Sequence, residues 1–307
     1  MIGRPRQRRI VKRQPVRVLP FPPSGRSLAS ITGALFVGLA LLMMTASGNT
    51  GEPLSGSTSG TPKIGIVYMH GTGSSPEMQH DKEFYSSLRE AGYLVEAPEM
   101  CWSARRMYDQ PYSVCLKRLL PAIVKLKSSG ATAIVVAGHS FGGNAAIQFG
   151  ATHTGLLGIM VLAAAFDPRA LARDWEVRAS IVKARKLIDR GRGDAVDSFP
   201  FTTAKVQLRT KATVYLSFNG PNSVAYMPAN TPRLTAPLLW IAGDRDFGQT
   251  GPGYAFNRAP ANPLNRYVMV SGDHVTVLRS GVTPALAWLD EISGSSRSSS
   301  KGEASAH

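Results

Sequence analysis

One stretch of the chain restricts its possible folds more than any other. Residues 135–146 read VVAGHSFGGNAA, so an apolar run ends in Gly-His-Ser-Phe-Gly-Gly and small residues follow. A serine at such a junction between strand and helix is typical of a nucleophile elbow, a strained turn that exposes the hydroxyl above a sheet. Gly138 and Gly142 would allow close approach of neighbouring backbone, where a Cβ atom would clash. The pattern is short, so Ser140 is a candidate nucleophile only if its surroundings agree.

The segments around this motif alternate between strands and helices. Short apolar runs predict strands at 63–69, 93–97, 131–137, 158–164, 237–242 and 266–270. Amphipathic or small-residue stretches predict helices at 76–91, 112–127, 143–151 and 283–292. Uninterrupted apolar strands are typical of a parallel sheet that is covered on both faces. The sequence therefore predicts an α/β fold, with a mostly parallel central sheet flanked by helices.

One long segment, residues 169–235, interrupts this alternation between two core strands. It contains a charged helix at 175–190, a glycine-rich break from Gly191, and a stretch at 212–218 that is predicted to be extended. A loop rich in proline and asparagine follows. An excursion of this length usually has structure of its own. We therefore expect a cap or lid insertion at about 169–235.

The N-terminal sequence predicts a membrane anchor or an export signal. Residues 1–27 form a basic tail, and residues 28–48 contain no charged side chain. About 20 apolar residues are enough to span a bilayer as a helix, and the basic flank favours a cytoplasmic N-terminus. We expect an uncleaved transmembrane anchor, with a cleaved signal peptide as the alternative. The catalytic domain would then lie outside the cytoplasm, periplasmic or extracellular, and would be secreted if the segment is cleaved.

Low-complexity segments bound the folded part of the chain. Residues 49–62 form a Gly/Ser/Thr/Pro linker, and residues 293–307 form a polar tail that is predicted to be disordered. The remaining residues, 63–292, suit a single α/β domain. Cys101 and Cys115 are the two cysteines. Export would permit a disulfide between them, and two buried thiols are the alternative.

The charge distribution argues against a nucleic-acid partner. The net charge is +15, but residues 1–26 hold eight of the lysines and arginines and no acidic residue, which leaves +7 for the rest. That remainder contains no basic motif interleaved with aromatic residues, which a nucleic-acid interface would show.

A serine hydroxyl needs a base to take its proton and a third group to orient that base. The chain has six histidines. Five of them lie in the motif itself, in the first loop, on predicted helix surfaces or in the tail: His139, His70, His80, His153 and His307. His274 remains, just after the last predicted strand, at the sheet edge where open α/β sheets bind ligands. The sequence therefore predicts His274 as the base.

An orienting acid should come between the serine and the histidine in the chain. The sequence GDRDFG after the strand at 237–242 offers Asp244 and Asp246, and Asp167 after the preceding strand is a third candidate. Asp244 could instead cap the turn. Asp273 adjoins the histidine too closely to reach around its ring. The residues alone leave the choice between Asp244 and Asp246 open.

The tetrahedral intermediate of acyl transfer also needs donors for its oxyanion. The first predicted strand ends in His70-Gly71-Thr72-Gly73, a tight loop that can direct a backbone N–H group at the site. We expect the N–H groups of Thr72 and Phe141 to form this oxyanion hole.

In chain order, these features resemble the α/β-hydrolase superfamily, and its serine esterases and lipases in particular. The similarity covers 63–292 and rests on H-G-x-G after the first strand, G-H-S-F-G-G after a middle strand, G-D-x-D after a late strand and D-H after the last. It implies nucleophile Ser140, acid Asp246 with Asp244 as the alternative, base His274, and oxyanion donors Thr72 and Phe141. It also implies that 169–235 occupies the usual cap location.

The resemblance implies a serine hydrolase that cleaves a carboxylic ester or thioester through an acyl-enzyme, with no metal and no organic cofactor. Its expected partners are a small-molecule or lipid-like acyl substrate and, through the apolar segment, the membrane. Two alternatives stay open. One is a peptidase, perhydrolase or other acyl transferase with the same triad, and the other is a non-catalytic binding protein on a hydrolase fold.

Overall fold

A six-stranded parallel sheet forms the centre of the protein in a computed structural model, which describes residues 62–201, 206–247 and 251–294. Every strand pair in this sheet is parallel. The strands, in their order across the sheet, are β2 (Leu94–Glu96), β1 (Ile64–Met69), β3 (Ala133–His139), β4 (Gly158–Leu162), β7 (Leu238–Gly243) and β8 (Arg266–Val270). The predicted α/β class and mostly parallel sheet are confirmed.

Helices surround this sheet. The helices that lie between β1 and β4 in the chain are α1 (Gln79–Glu90), α2 (Tyr112–Leu116), α3 (Leu119–Ser128) and α4 (Phe141–Gly150). Those after β4 are α5 (Pro168–Leu171), α6 (Trp175–Asp189), α7 (Ala212–Asn219), α8 (Met227–Asn230), α9 (Val277–Ser280) and α10 (Val282–Ile292). A separate antiparallel hairpin consists of β5 (Val196–Phe201) and β6 (Val206–Lys211).

Both faces of the central sheet are buried, as the apolar strands predict. On β1, Ile66 and Tyr68 pack with residues of α1, α9 and α10. Val67 and Met69, on the opposite face, pack with residues of α3, α4 and the segment after β4. Strand side chains alternate between the faces, so an element with two covered faces must be apolar throughout.

The predicted helix at 112–127 is divided into α2 and α3. Pro121 is the third residue of α3, within the first turn, where a helix leaves its N–H groups without intrahelical partners. In one continuous helix the same proline would remove a hydrogen bond and clash with the carbonyl four residues earlier. The break at Lys117 and Arg118 therefore accommodates Pro121.

The segment 169–235 contains nearly all of α5, all of α6, the β5–β6 hairpin, α7 and α8. The prediction that residues 212–218 are extended is wrong, because these residues form α7. Ala212, Tyr215 and Phe218 follow each other at intervals of three and are all buried. They form one apolar helical face, and its packing outweighs the β propensity of the valine, threonine and aromatic residues.

A disulfide joins Cys101 to Cys115, with their Cα atoms 5.6 Å apart. It links the loop after β2 to α2. Between 62 and 294, in the three described ranges, no helix is both long enough and apolar enough to cross a membrane. The predicted basic tail, the apolar segment 28–48, and nearly all of the linker and the C-terminal tail lie outside those ranges.

Candidate active site

Ser140 lies at the junction of β3 and α4, with φ of 53° and ψ of −118°. Positive φ is uncommon for a residue other than glycine and marks local strain, which persists where the surrounding structure enforces it. Two close approaches enforce this turn. A Cβ atom on Gly138 would lie 2.2 Å from the carbonyl carbon of Gly142, and one on Gly142 would lie 2.1 Å from the carbonyl oxygen of Met69. Both positions therefore require glycine.

Ser140, His274 and Asp246 form a continuous hydrogen-bonded chain. The Nε2 atom of His274 is 2.8 Å from Oγ of Ser140, and its Nδ1 atom is 2.8 Å from Oδ1 of Asp246. The carboxylate of Asp246 is buried, whereas Ser140 and His274 are partly exposed. The hydroxyl is thus accessible to a ligand, while the acid behind the imidazole is shielded from water.

The neighbouring acids have other partners. The carboxylate of Asp244 accepts the backbone N–H of Gly272 at 2.9 Å. Asp167 caps α5 by accepting the N–H groups at 169 and 170. Asp273 accepts two backbone N–H groups and the hydroxyl of Thr276. The structure therefore places Asp246 against His274, and Asp244 in contact with the loop that bears the histidine.

The two loops that bear Asp246 and His274 are packed tightly together. A Cβ atom on Gly243 would lie 2.4 Å from the carbonyl oxygen of Gly272. The backbone N–H of Arg245 donates to the same oxygen at 3.0 Å. Because β7 and β8 are adjacent, their loops emerge side by side, and these backbone contacts fix the carboxylate relative to the imidazole.

The predicted oxyanion donors lie on two segments that meet at the serine. Phe141 is the first residue of α4, where a helix N–H has no intrahelical acceptor. Thr72 is exposed in the loop after β1, and a Cβ atom on the adjacent Gly71 would lie 3.2 Å from Cβ of Ser140. That loop is fixed by the segment after β2, since the N–H of Gly73 donates to the carbonyl of Trp102 at 2.8 Å.

His70 fixes the start of the same loop. Its Nδ1–H donates to the carbonyl of Gly71 at 2.8 Å, and its Nε2 accepts the N–H of Met100 at 3.1 Å. Burial lowers the pKa of His70. The neutral ring is therefore the form that this arrangement requires.

His139 has a role that the motif did not reveal. Its Nε2–H donates to the carbonyl oxygen of His274 at 2.7 Å. Burial lowers the pKa of His139 to about 4. The residue before the candidate nucleophile thus binds the main chain of the candidate base. The two are 135 residues apart, and no local pattern could have indicated the contact.

Three further side chains lie near the site in positions that the sequence did not predict. Asp81, at the start of α1, is fully buried and lies 4.0 Å from Nδ1 of His139. His80, expected on a helix surface, is instead partly buried, with Nε2 3.2 Å from Asp81. Phe247 follows the acid, is 86% exposed, and has its ring centroid 4.4 Å from that of His274. Phe247 therefore offers an apolar surface beside the base.

The protein has the α/β-hydrolase fold, as the resemblance implied, and solved structures agree. One comes from work on LipS and LipT, two metagenome-derived lipolytic enzymes. It matches with a TM-score of 0.56 at 18% identity, covering 75% of this chain and 95% of that one. GrgF, an α/β hydrolase from Penicillium sp. sh18, matches with a TM-score of 0.57 at 14% identity, covering 76% and 92%.

A monoacylglycerol lipase from Paleococcus ferrophilus also matches, with a TM-score of 0.54 at 17% identity, covering 77% of this chain and 97% of that one. At these identities the similarity is one of fold. No protein-family model matches the sequence, and no curated protein matches it either.

Proposed function

We propose that the protein is a serine hydrolase that cleaves carboxylic esters or thioesters, with Ser140 as nucleophile, His274 as base and Asp246 as orienting acid. The chain of two 2.8 Å contacts from Asp246 through His274 to the Ser140 hydroxyl carries this proposal. Similar solved structures are described as lipolytic enzymes, as Est1E from Butyrivibrio proteoclasticus with ferulic acid bound, and as a thioesterase domain from the curacin biosynthetic pathway. They support acyl transfer to water as the reaction class.

The reaction proceeds in two halves. Oγ of Ser140 attacks the carbonyl carbon while Nε2 of His274 takes the hydroxyl proton, and Asp246 stabilises the imidazolium through Nδ1–H. The bond from the carbonyl carbon to the leaving oxygen or sulfur breaks as His274 returns that proton to the leaving group. A water molecule, deprotonated by His274, then attacks the acyl-enzyme and regenerates Ser140. The N–H groups of Thr72 and Phe141 bind the oxyanion in both halves.

Segment 169–235 is the part of the chain that we expect to shape the acyl site. Its α7 packs beside the nucleophile turn, since the rings of Phe218 and Phe141 are 5.7 Å apart. The side chain of Asn144 on α4 also donates to the carbonyl of Ala225. Phe218→Leu should change the preferred chain length among p-nitrophenyl esters while Ser140 still reacts with an active-site probe. An unchanged preference would assign the acyl site elsewhere.

A fluorophosphonate probe tests the central proposal, because it reacts only with an activated serine. The parent protein should be labelled, Ser140→Ala and His274→Ala should not, and Ser128→Ala, an exposed serine on α3, should be labelled like the parent. Absence of labelling in the parent would overturn the enzyme proposal. Equal labelling of the parent and Ser140→Ala would show that a different serine reacts.

The location of the enzyme is a separate proposal. The basic tail at 1–27 and the uncharged segment at 28–48 support an N-terminal membrane anchor, with the domain on the side opposite the cytoplasm. Fractionation of cells that express the full chain should find it in the membrane, with the domain accessible to external protease. Recovery with the soluble cytoplasmic proteins would contradict this.

A further inference from the structure

Behind the catalytic chain, on the opposite side of His139 from His274, two imidazoles and a carboxylate converge. Nε2 of His80, the carboxylate of Asp81 and Nδ1 of His139 all lie within 4.8 Å of one another. The distance from Nε2 of His80 to Oδ2 of Asp81 is 3.2 Å, and that from Nδ1 of His139 to Oδ1 of Asp81 is 4.0 Å. The assignment of Ser140, His274 and Asp246 uses none of these three atoms.

The tautomer of His139 leaves a lone pair directed at this cluster. Its Nε2–H is committed to the carbonyl of His274, so in the neutral ring Nδ1 carries no proton. Among the described residues, this buried Nδ1 atom has no hydrogen-bond partner. A buried acceptor without a partner costs free energy. A histidine that ligates a metal characteristically donates its other N–H to a backbone carbonyl or a carboxylate, which is the arrangement found here.

The buried carboxylate of Asp81 also supports a bound metal ion. Its carboxylate is fully buried and accepts the hydroxyls of Tyr68 at 2.6 Å and Ser74 at 2.5 Å. Its ion-pair partners within the described residues are the two histidines, with no lysine or arginine. Burying a carboxylate without a full cationic partner is costly, and a divalent cation would compensate it. The two hydroxyls would orient the carboxylate as a ligand.

We propose that His80, Asp81 and His139 bind a zinc-class divalent cation. Two imidazole nitrogens and one carboxylate oxygen are a donor set that suits Zn²⁺ and related transition metals. Ligands at the usual Zn²⁺ distances lie about 3.3 Å apart in a tetrahedral site. The His80–Asp81 pair already has about this spacing, and the His139 ring must move closer to both of these ligands for one ion to bind all three. This proposal does not depend on the proposed hydrolase activity.

An ion has a route to this cluster. The side chain of His80 is 30% exposed. It also lines a cavity of about 390 Å³ between α1 and α9, together with Glu83, Val275, Thr276 and Arg279. Through this cavity a water molecule can supply the fourth ligand. The bound cation would hold the imidazole of His139 and, through its Nε2–H, the main chain of His274.

The test is metal binding by the purified full chain, stripped with chelator and titrated with Zn²⁺ by calorimetry and with Co²⁺ by visible absorption. We expect one equivalent with tetrahedral Co²⁺ bands and a thermal midpoint raised by several degrees at saturating Zn²⁺. His80→Ala should weaken binding at least tenfold. His80→Gln, which keeps a donor for Asp81 but loses the imidazole ligand, should do the same.

Two matched variants locate the site. His153→Ala, which removes a histidine in the loop after α4 and outside the cluster, should bind Zn²⁺ as the parent does. His274→Ala removes the imidazole of the catalytic chain but keeps the main-chain carbonyl at position 274, so this variant should also bind Zn²⁺. Absence of binding in the parent would overturn the proposal. Zn²⁺ binding that survives in both His80 variants would also overturn the proposal. Loss of Zn²⁺ binding in His274→Ala would overturn it too, because the ion would then belong to the catalytic chain.

Discussion

His139 and His274 are 135 positions apart, yet the Nε2–H of the first donates to the main-chain carbonyl of the second across 2.7 Å. Their ring centroids lie 5.1 Å apart. The turn that carries Ser140 therefore also holds the backbone of the candidate base. The candidate nucleophile and the candidate base are fixed to each other through this hydrogen bond as well as through their own side chains.

This contact predicts that His139 is a positioning residue. His139→Ala should lower kcat for p-nitrophenyl esters by about 10- to 100-fold with little change in KM, because small displacements of a catalytic group are costly. His139→Gln can place an amide N–H near the position of Nε2 and should recover part of the loss. Both are measured with chelator present, so that metal binding does not contribute. Activity of His139→Ala equal to the parent's, or no recovery in His139→Gln, would contradict this role.

The two acids after β7 should behave differently. Asp246→Asn should lower kcat by about 10⁴-fold, because the amide favours the wrong imidazole tautomer and does not stabilise the imidazolium. Asp244→Asn should keep most of the activity, since the partners of the Asp244 carboxylate among the described residues are the N–H of Gly272 and the exposed side chain of Arg245. Steady-state kinetics of the two variants decide the assignment. A larger loss in Asp244→Asn would reverse it.

The sequence predicted those parts of the fold in which the local pattern of apolar and polar residues agrees with the burial of those residues in the structure. Strands β1, β4 and β7, and β3 as far as Gly138, are apolar because both faces of the sheet are covered. Ser140 and His274 could be proposed because Ser140 directly follows β3 and His274 lies in the loop that follows β8. Asp246 and Asp244 differ in the direction of their side chains, a property of the turn that the order of residues does not specify.

The parts that could not be predicted depend on packing between distant segments. The β5–β6 hairpin contains Pro200, which weakens a strand pattern, and its buried pair Phe199 and Leu208 comes together only through strand pairing. Helix α7 was predicted as extended because its residues favour strands locally. The contact of His139 with His274 joins segments far apart in the chain.

The disulfide should stabilise the protein and support the loop near the site. It closes a loop of about 15 residues, for which chain entropy predicts about 3 kcal/mol. Cys101→Ser combined with Cys115→Ser should lower the free energy of urea unfolding by about this amount. Reductant should destabilise the parent and leave the double variant unchanged. Equal stability of the parent with and without reductant, once free thiols have been counted, would show that the bridge contributes nothing.

The buried His70 should make stability depend on pH. Burial lowers its pKa below the value of about 6.5 that it regains on unfolding, so the unfolded chain binds a proton more readily. Its contribution to stability is therefore fully present above about pH 6.5. As the pH falls below that value the contribution is lost, by at most about 1.4 kcal/mol per pH unit for one group, until the folded protein also takes the proton.

His70→Gln isolates this contribution, because a glutamine oxygen can accept the N–H of Met100 and does not titrate in this range. Unfolding free energies measured by urea titration at intervals from pH 8 to pH 5 should decline less steeply below pH 6.5 in His70→Gln than in the parent. Other buried groups, His139 among them, titrate in both proteins and cancel in the difference. If the unfolding free energies of the parent and His70→Gln decline in parallel with pH, His70 takes a proton equally well in the folded and unfolded states. The neutral tautomer seen between Gly71 and Met100 would then not be required for folding.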